Sequence, residues 1–189
     1  MVTGASGGLG RGIALRFVEA GANVVVHYSK DEKHANEVKR AVEREGGRAV
    51  AVGADLTIQS EVNGLFDECV AAFGGVSVLI NNASVYPTGP VLTMPVEEWD
   101  ALMNVNLRAA FICAQAAARQ MAGQEKAGNI VNITSFSADN PVSGQVHYST
   151  SKAALEMLTR ALAGELERSH PPAGVAAALG DGTGSRRRK

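Results

Sequence analysis

Two cysteines in 189 residues, Cys69 and Cys113, are too few to staple the fold, and both sit in apolar helical context. That argues against a disulfide framework or a cysteine metal centre and leaves two buried free thiols, as suits a reducing cytoplasm. Charge of either sign is also short, because 18 Lys and Arg against 19 Asp and Glu leave a net charge of -1. Such a balance gives no electrostatic basis for binding nucleic acid or an anionic membrane. The terminal Arg186-Arg187-Arg188-Lys189 is a local exception, of the kind usually just solvated on a tail. No apolar run approaches the length that spans a bilayer and no leader-type segment precedes the first glycines, so a cytoplasmic chain is expected. His27, His34, His147 and His170 lack metal-ligand spacing, read as surface or loop residues, and imply no metal; His147 is noted for adjoining Tyr148. Internal repeats and low-complexity blocks are missing, and the length leaves no room for a second full domain.

What is present is organised around Thr3-Gly4-Ala5-Ser6-Gly7-Gly8-Leu9-Gly10, a glycine-rich turn that runs directly into the amphipathic stretch Arg11 to Ala20. Gly4, Gly8 and Gly10 remove Cβ atoms where a backbone turns tightly and a dinucleotide can approach, and the N–H groups opening the helix favour its pyrophosphate. Glycine turns also serve as plain connectors, so context decides. The β-branched run Asn23 to His27 follows as a buried parallel strand, giving the order of a βαβ unit. The strand that should precede the turn is reduced to Met1-Val2.

Helical and strand patterns then alternate. Helices are expected over Asp31 to Glu45, Ile58 to Phe73, Pro95 to about Gln124 and Gln145 to Arg168, and strands over Arg48 to Ala54, Val76 to Ile80 and Asn129 to Ile133. This alternation predicts an α/β fold with a doubly wound parallel sheet over residues 1–168. Residues 169–189 read as an irregular or flexible tail in which only Val175 to Leu179 can attempt a strand.

Open α/β sheets collect ligands at the carboxyl ends of their strands. Asp55, Asn81-Asn82 and Thr134-Ser135 follow three such ends. Each residue type also favours turns and caps on its own account; the shared rim is the informative part. Tyr148 and Lys152 stand four apart on a helix, on one face and within reach of each other. An ammonium there favours the phenolate, so Tyr148 can exchange a proton with an alcohol or ketone, while Ser135 can hydrogen-bond the same oxygen. An exposed Tyr/Lys pair with no such role has the same spacing.

Taken together, Thr3-Gly4-x-x-x-Gly8-x-Gly10, Asp55, Asn81-Asn82-Ala83, Asn106, Ser135 and Tyr148-x-x-x-Lys152 resemble the short-chain dehydrogenase/reductase family in order and spacing. The likeness covers Val2 to about Glu167 and is greatest to the 3-oxoacyl-carrier-protein reductase and glucose dehydrogenase branches. It implies a Rossmann-type sheet with helices on both faces, its last strands missing or irregular, and hydride transfer between a nicotinamide and a carbonyl or alcohol carbon. Tyr148 would be the general acid/base, Lys152 would tune it and bind the nicotinamide ribose, Ser135 would orient the substrate oxygen, and Asn106 would hold a water linking Lys152 to solvent. Thr3, Gly4, Ser6, Gly8, Leu9, Gly10, Leu56, Asn82 and Ala83 would line the cofactor path and Asp55 would contact the adenine. Ser84 stands where the family usually has glycine. The helices 97–124 and 145–168 would form a homodimer or homotetramer contact.

At the end of the second strand, where NAD enzymes of this type place an acidic residue for the ribose hydroxyls, the chain has Tyr28, Ser29 and Lys30. These suit a 2′-phosphate, so NADP is expected over NAD; the nearby Asp31 is the feature that would favour NAD. The family's strand with a Pro-Gly turn, its substrate-covering segment and its last helix and strand are not recognisable after residue 168. The chain therefore reads as truncated, and a catalytically impaired nucleotide-binding or dimerising fragment is the second reading. A third comes from Ser149-Thr-Ser-Lys152, which matches the Ser-x-x-Lys pattern of acyl-serine hydrolases with Ser149 as nucleophile.

Overall fold

The structure is a computed structural model that describes residues 1–124, 128–169 and 174–178, with residues 167–169 and 174–178 described as backbone only. In chain order its elements are α1 (Gly8–Glu19), β1 (Val24–Tyr28), α2 (Glu32–Arg44), β2 (Ala49–Gly53), α3 (Gln59–Phe73) and β3 (Val78–Asn81). They continue as α4 (Val96–Met103), a π-helical turn (Asn104–Arg108), α5 (Ala109–Ala122), β4 (Asn129–Ile133), α6 (Val146–Ser169) and β5 (Gly174–Ala178).

The reduced first strand still does a strand's work. Val2 bridges in parallel to Val26 of β1 and to Ile80 of β3. Val2 N–H donates to Val25 O (3.0 Å) and Thr3 N–H to Ile80 O (3.0 Å), while Val2 and Met1 carbonyls accept from His27 (3.2 Å) and Ile80 (2.9 Å). With β1 on β2, β3 on β4 and β4 on β5, all parallel, the strand order is β2, β1, the Met1–Thr3 segment, β3, β4, β5. The strand that Val175 to Leu179 could attempt is found at Gly174–Ala178, in register with Asn129 to Ile133. The rest of the expected tail, with Arg186 to Lys189 and His170, lies outside the described residues.

A sheet of this kind is covered on both faces, so its strands carry apolar side chains on both. Val24 and Val26 pack with Ala14 and Val18 of α1 and Val38 and Val42 of α2. Val25 points the other way, into Leu65 and Phe66 of α3, Ile112 and Cys113 of α5 and the flank of Leu162 on α6. Both faces are buried, and each fully buried valine or leucine adds about 1.5–3 kcal/mol to holding the layers together. α2 starts where Asp31 caps it by accepting from His34 N–H, and α3 stops where Gly74 turns left-handed. Both cysteines are free and buried, and burial pushes the Cys113 thiol up to about 12 and the Cys69 thiol up from its ordinary value, which disfavours the thiolate at both. No described helix is long and apolar enough to cross a membrane.

Two local features depart from the sequence reading. Pro95 stands at the N-cap of α4 in extended conformation instead of in its first turn. The long helix expected to run to Gln124 is broken by the π turn Asn104–Arg108, whose wider path carries Asn106 into the interior.

Buried polar side chains tie the layers together. Asn81 Nδ2 donates to Ala110 O (3.1 Å) and Asn132 Oδ1 (2.9 Å), and Asn132 Nδ2 donates to Thr159 Oγ1 (2.8 Å), joining β3, α5, β4 and α6. Replacing Thr159 with Val strands the Asn132 amide, and the expected loss is about 1–3 kcal/mol of unfolding free energy in urea melts. A change of only a few tenths would contradict this role.

Candidate active site

The glycine turn leaves the central segment at the carboxyl edge of the sheet and is held there by side chains. Thr3 Oγ1 accepts from the N–H groups of Asn82 (2.9 Å) and Ala83 (3.0 Å), and Asn82 Nδ2 donates back to Thr3 O (2.9 Å) and Gly4 O (3.1 Å). Gly4 adopts φ +61°, and a Cβ there would lie 3.0 Å from Ala83 Cα. A Cβ on Gly10 would come within 2.4 Å of Gly4 O and 2.6 Å of Asn82 Nδ2, so the turn and α1 pack too closely for a side chain. Thr3 is thus consumed by structure.

Beyond the clasp the turn opens outward. Gly7 stands at the N-cap of α1 in extended conformation with no side-chain cap, and the first turn carries no acidic residue. Gly7 and Gly8 face open space, Leu9 is exposed and Ser6 is half-buried. An uncapped helix start with free space over it fits the pyrophosphate of a dinucleotide. Farther along the rim, Asp55 Oδ1 accepts from Thr57 N–H (2.9 Å) and Thr57 Oγ1 (2.7 Å), which holds its carboxyl below the usual range. Tyr28 lays its ring over Gly53, and Ser29 and Lys30 are exposed beside it. Leu56 is buried in the core on the α3 face, so its side chain does not reach the rim.

Lys152, Tyr148 and Ser135 lie across the same edge. Lys152 is buried and its Nζ donates to Ile133 O (2.9 Å) at the end of β4; burial pushes its pKa down to about 8. That ammonium lies 5.7 Å from the centre of the Tyr148 ring, and Tyr148 is half-buried with Tyr86 edge-on to it at 6.3 Å. Ser135 follows Ile133 by two residues; it is buried and its Oγ accepts from Ser137 N–H (3.2 Å). Asn106 uses both ends of its amide on the loop after β3: Oδ1 accepts from Val85 N–H and Nδ2 donates to Val85 O, each at 2.8 Å. Asn106 Nδ2 also reaches Ser151 Oγ (3.3 Å), which donates to Tyr148 O (2.7 Å).

A profile of the short chain dehydrogenase family matches residues 1–176. The chain belongs to the short-chain dehydrogenase family. It is 41% identical over 176 residues to a short-chain type dehydrogenase/reductase of Picea abies, spanning 88% of this chain and 64% of that one. It is 39% identical over 163 residues to 3beta-hydroxysteroid dehydrogenase 1 of Eggerthella lenta, across 86% of this chain and 62% of that protein. The chain thus spans less than two thirds of the length of these two relatives. Among solved structures, acetoin dehydrogenase from Enterobacter cloacae superposes with a TM-score of 0.87 at 36% identity, covering 93% of this chain and 69% of that one. A short chain dehydrogenase from Mycobacterium smegmatis gives 0.89 at 33%, covering 94% and 74%.

Two histidines correct the surface reading. His27 and His147 are both fully buried. His147 sits beside Tyr148 with Nε2 3.3 Å from Glu98 Oε1, without a hydrogen bond between them. His27 lies under the glycine turn, and Ser151 and Glu98 also escaped sequence reasoning. A histidine inside an all-valine parallel strand was the one available signal, since both faces of such a strand are buried. Ser149, the nucleophile of the hydrolase reading, is buried with its Oγ lacking a hydrogen-bond partner, so Lys152 does not activate it.

Lys152 makes stability depend on pH. With its folded value near 8 against an ordinary 10.5, the folded chain binds fewer protons than the unfolded chain between those limits. Stability is penalised below about 8 and rises as pH goes from there toward 10.5. Urea midpoints should therefore rise over that window more in the wild type than in Lys152→Met; parallel curves would contradict the buried ammonium.

Proposed function

We propose that the chain is an NADP(H)-linked oxidoreductase acting on a carbonyl or alcohol, with Tyr148 as general acid/base. The observation that carries this reading is Lys152: its buried Nζ, held on Ile133 O, stands under the Tyr148 ring at the edge where Ser135 and the open glycine turn also lie. A bound nicotinamide would supply or accept the hydride. Tyr148 would pass its hydroxyl proton to the substrate oxygen in reduction and remove it in oxidation, and Ser135 would orient that oxygen. Lys152 would stabilise the phenolate and bind the nicotinamide ribose. Asn106 would fix the loop through Val85 while connecting to the Tyr148 helix through Ser151, the expected water link to Lys152 remaining part of the proposal.

NADP is favoured by Tyr28, Ser29 and Lys30, with Lys30 lying near enough to Asp55 to lower its pKa, which gives positive potential where a 2′-phosphate would sit. NAD is the alternative. The reading extends to a cytoplasmic homodimer or homotetramer formed through helices 97–124 and 145–168, where Phe111 and Met157 are exposed.

A second reading, cofactor binding without turnover, is favoured by the rim. Tyr86, edge-on to Tyr148, is 72% exposed, so aromatic surface beside Tyr148 lies open in a chain spanning 64% of its Picea abies relative. One assay separates them. NADPH-dependent reduction of generic ketones and β-ketoacyl esters should be measurable and fall about 10²-fold or more in Tyr148→Phe, the usual worth of a positioned proton donor. NADPH binding with no turnover identifies the second reading, and turnover indifferent to Tyr148→Phe contradicts the first.

A further inference from the structure

His27 is the next-to-last residue of β1, and nothing in the proposed chemistry uses it. Nonetheless it touches Gly4 and Ala5 of the glycine turn and Val2 just before it. Its N–H donates to Val2 O (3.2 Å) and its carbonyl accepts from Ala5 N–H (2.8 Å). Its ring lies between two backbone groups, with Gly4 N–H donating to Nδ1 (3.0 Å) and Nε2 standing 3.0 Å from Ala54 O. A backbone N–H can only donate and a carbonyl can only accept, so the partners assign the ring: Nδ1 is bare and Nε2 carries the hydrogen. Ala54 immediately precedes Asp55. The ring is therefore a fixed spacer between the turn and the far rim of the site.

We infer that His27 is a positioning residue: as its Nε2–H tautomer it clamps Gly4 to Ala54 and so sets the gap between the glycine turn and the Asp55 rim across which the dinucleotide lies. This rests on the cofactor reading above. The clamp needs the neutral ring, because a proton on Nδ1 would set two donors facing each other at Gly4. Burial favours that form by pushing the ring's pKa down, with the Ala54 carbonyl opposing weakly.

Two substitutions separate the two halves of the clamp. In His27→Asn the amide oxygen stands as many bonds from Cα as Nδ1 and can still accept from Gly4, whereas in His27→Gln the amide nitrogen stands at the place of Nε2 and keeps only Ala54. The inference expects slow amide exchange at Gly4 in the wild type and in His27→Asn, and fast exchange in His27→Gln, all in the unliganded chain. It also expects NADPH affinity weakened about tenfold or more in both variants, because each keeps one half of the clamp and loses the other, the effect of one lost buried hydrogen bond. NADPH affinity within about threefold of wild type in either variant overturns the inference, as does Gly4 exchange that is the same in His27→Gln as in His27→Asn, the result expected of a histidine that only fills space. Should both variants fail to fold, the ring nitrogen shifts of the wild type decide: an Nε2–H tautomer supports the clamp and an Nδ1–H tautomer overturns it. A wild type that binds no NADPH overturns the cofactor reading alone, because Gly4 exchange reports the clamp without ligand.

Discussion

The structure depends on one insertion: a few residues at the head of the chain lie between β1 and β3 and join a pair of strands and a set of three into one sheet. Val2 contributes the backbone pairing on both sides, and Thr3 locks the exit by accepting from Asn82 and Ala83 while Asn82 binds the turn's carbonyls. These are short bonds in a low-dielectric setting, where each counts for more than it would at the surface. Because the clasp sits where the strand ends and the turn begins, holding the sheet together and presenting the turn are the same event. Loss of Thr3 or Asn82 would disturb both.

From that edge the geometry spreads outward. Asp55 and Tyr28 stand to one side of the glycine turn; Ser135, Tyr148 and Lys152 stand to the other. The π turn reaches in from α4 and α5 with Asn106, which grips Val85 and through Ser151 touches the backbone of Tyr148. Local irregularity in a helix thereby becomes a link between the loop after β3 and the helix that carries the phenol. Lys152 is the most strongly perturbed cation there, buried on a single carbonyl, and this is the electrostatic cost the site bears for keeping an ammonium beneath an aromatic ring.

Most of the fold was legible because it follows from period and punctuation. The valine run of β1, the glycines of the turn and the amphipathic stripe of α2 dictate strand, turn and helix from neighbours in sequence. The motifs at Gly4, Asn82, Ser135 and Tyr148 were legible as types at spacings, and the structure brings them to one edge; their chemical roles rest on the proposal. What stayed hidden depends on contacts distant in sequence. Nothing in Asn104 to Arg108 marks a π turn, and the bond that Asn106 makes from it to Val85 joins residues far apart in sequence. Leu56 follows a rim residue but turns into the core, and His27 and His147 are polar residues whose burial is set by strands and helices packed over them. The full reach of Met1 to Thr3 was equally out of sight, because two residues show no periodicity.

The central claim is that the clasped, uncapped glycine turn seats a dinucleotide phosphate. Thermal melts of the intact chain with and without NADPH test it most directly. At ligand about a hundredfold above Kd, mass action adds about 2.7 kcal/mol, which for a chain of this size raises Tm by about 5–10 °C. A clear concentration-dependent rise of that order is the predicted result; a Tm that stays the same at every NADPH concentration would contradict the account.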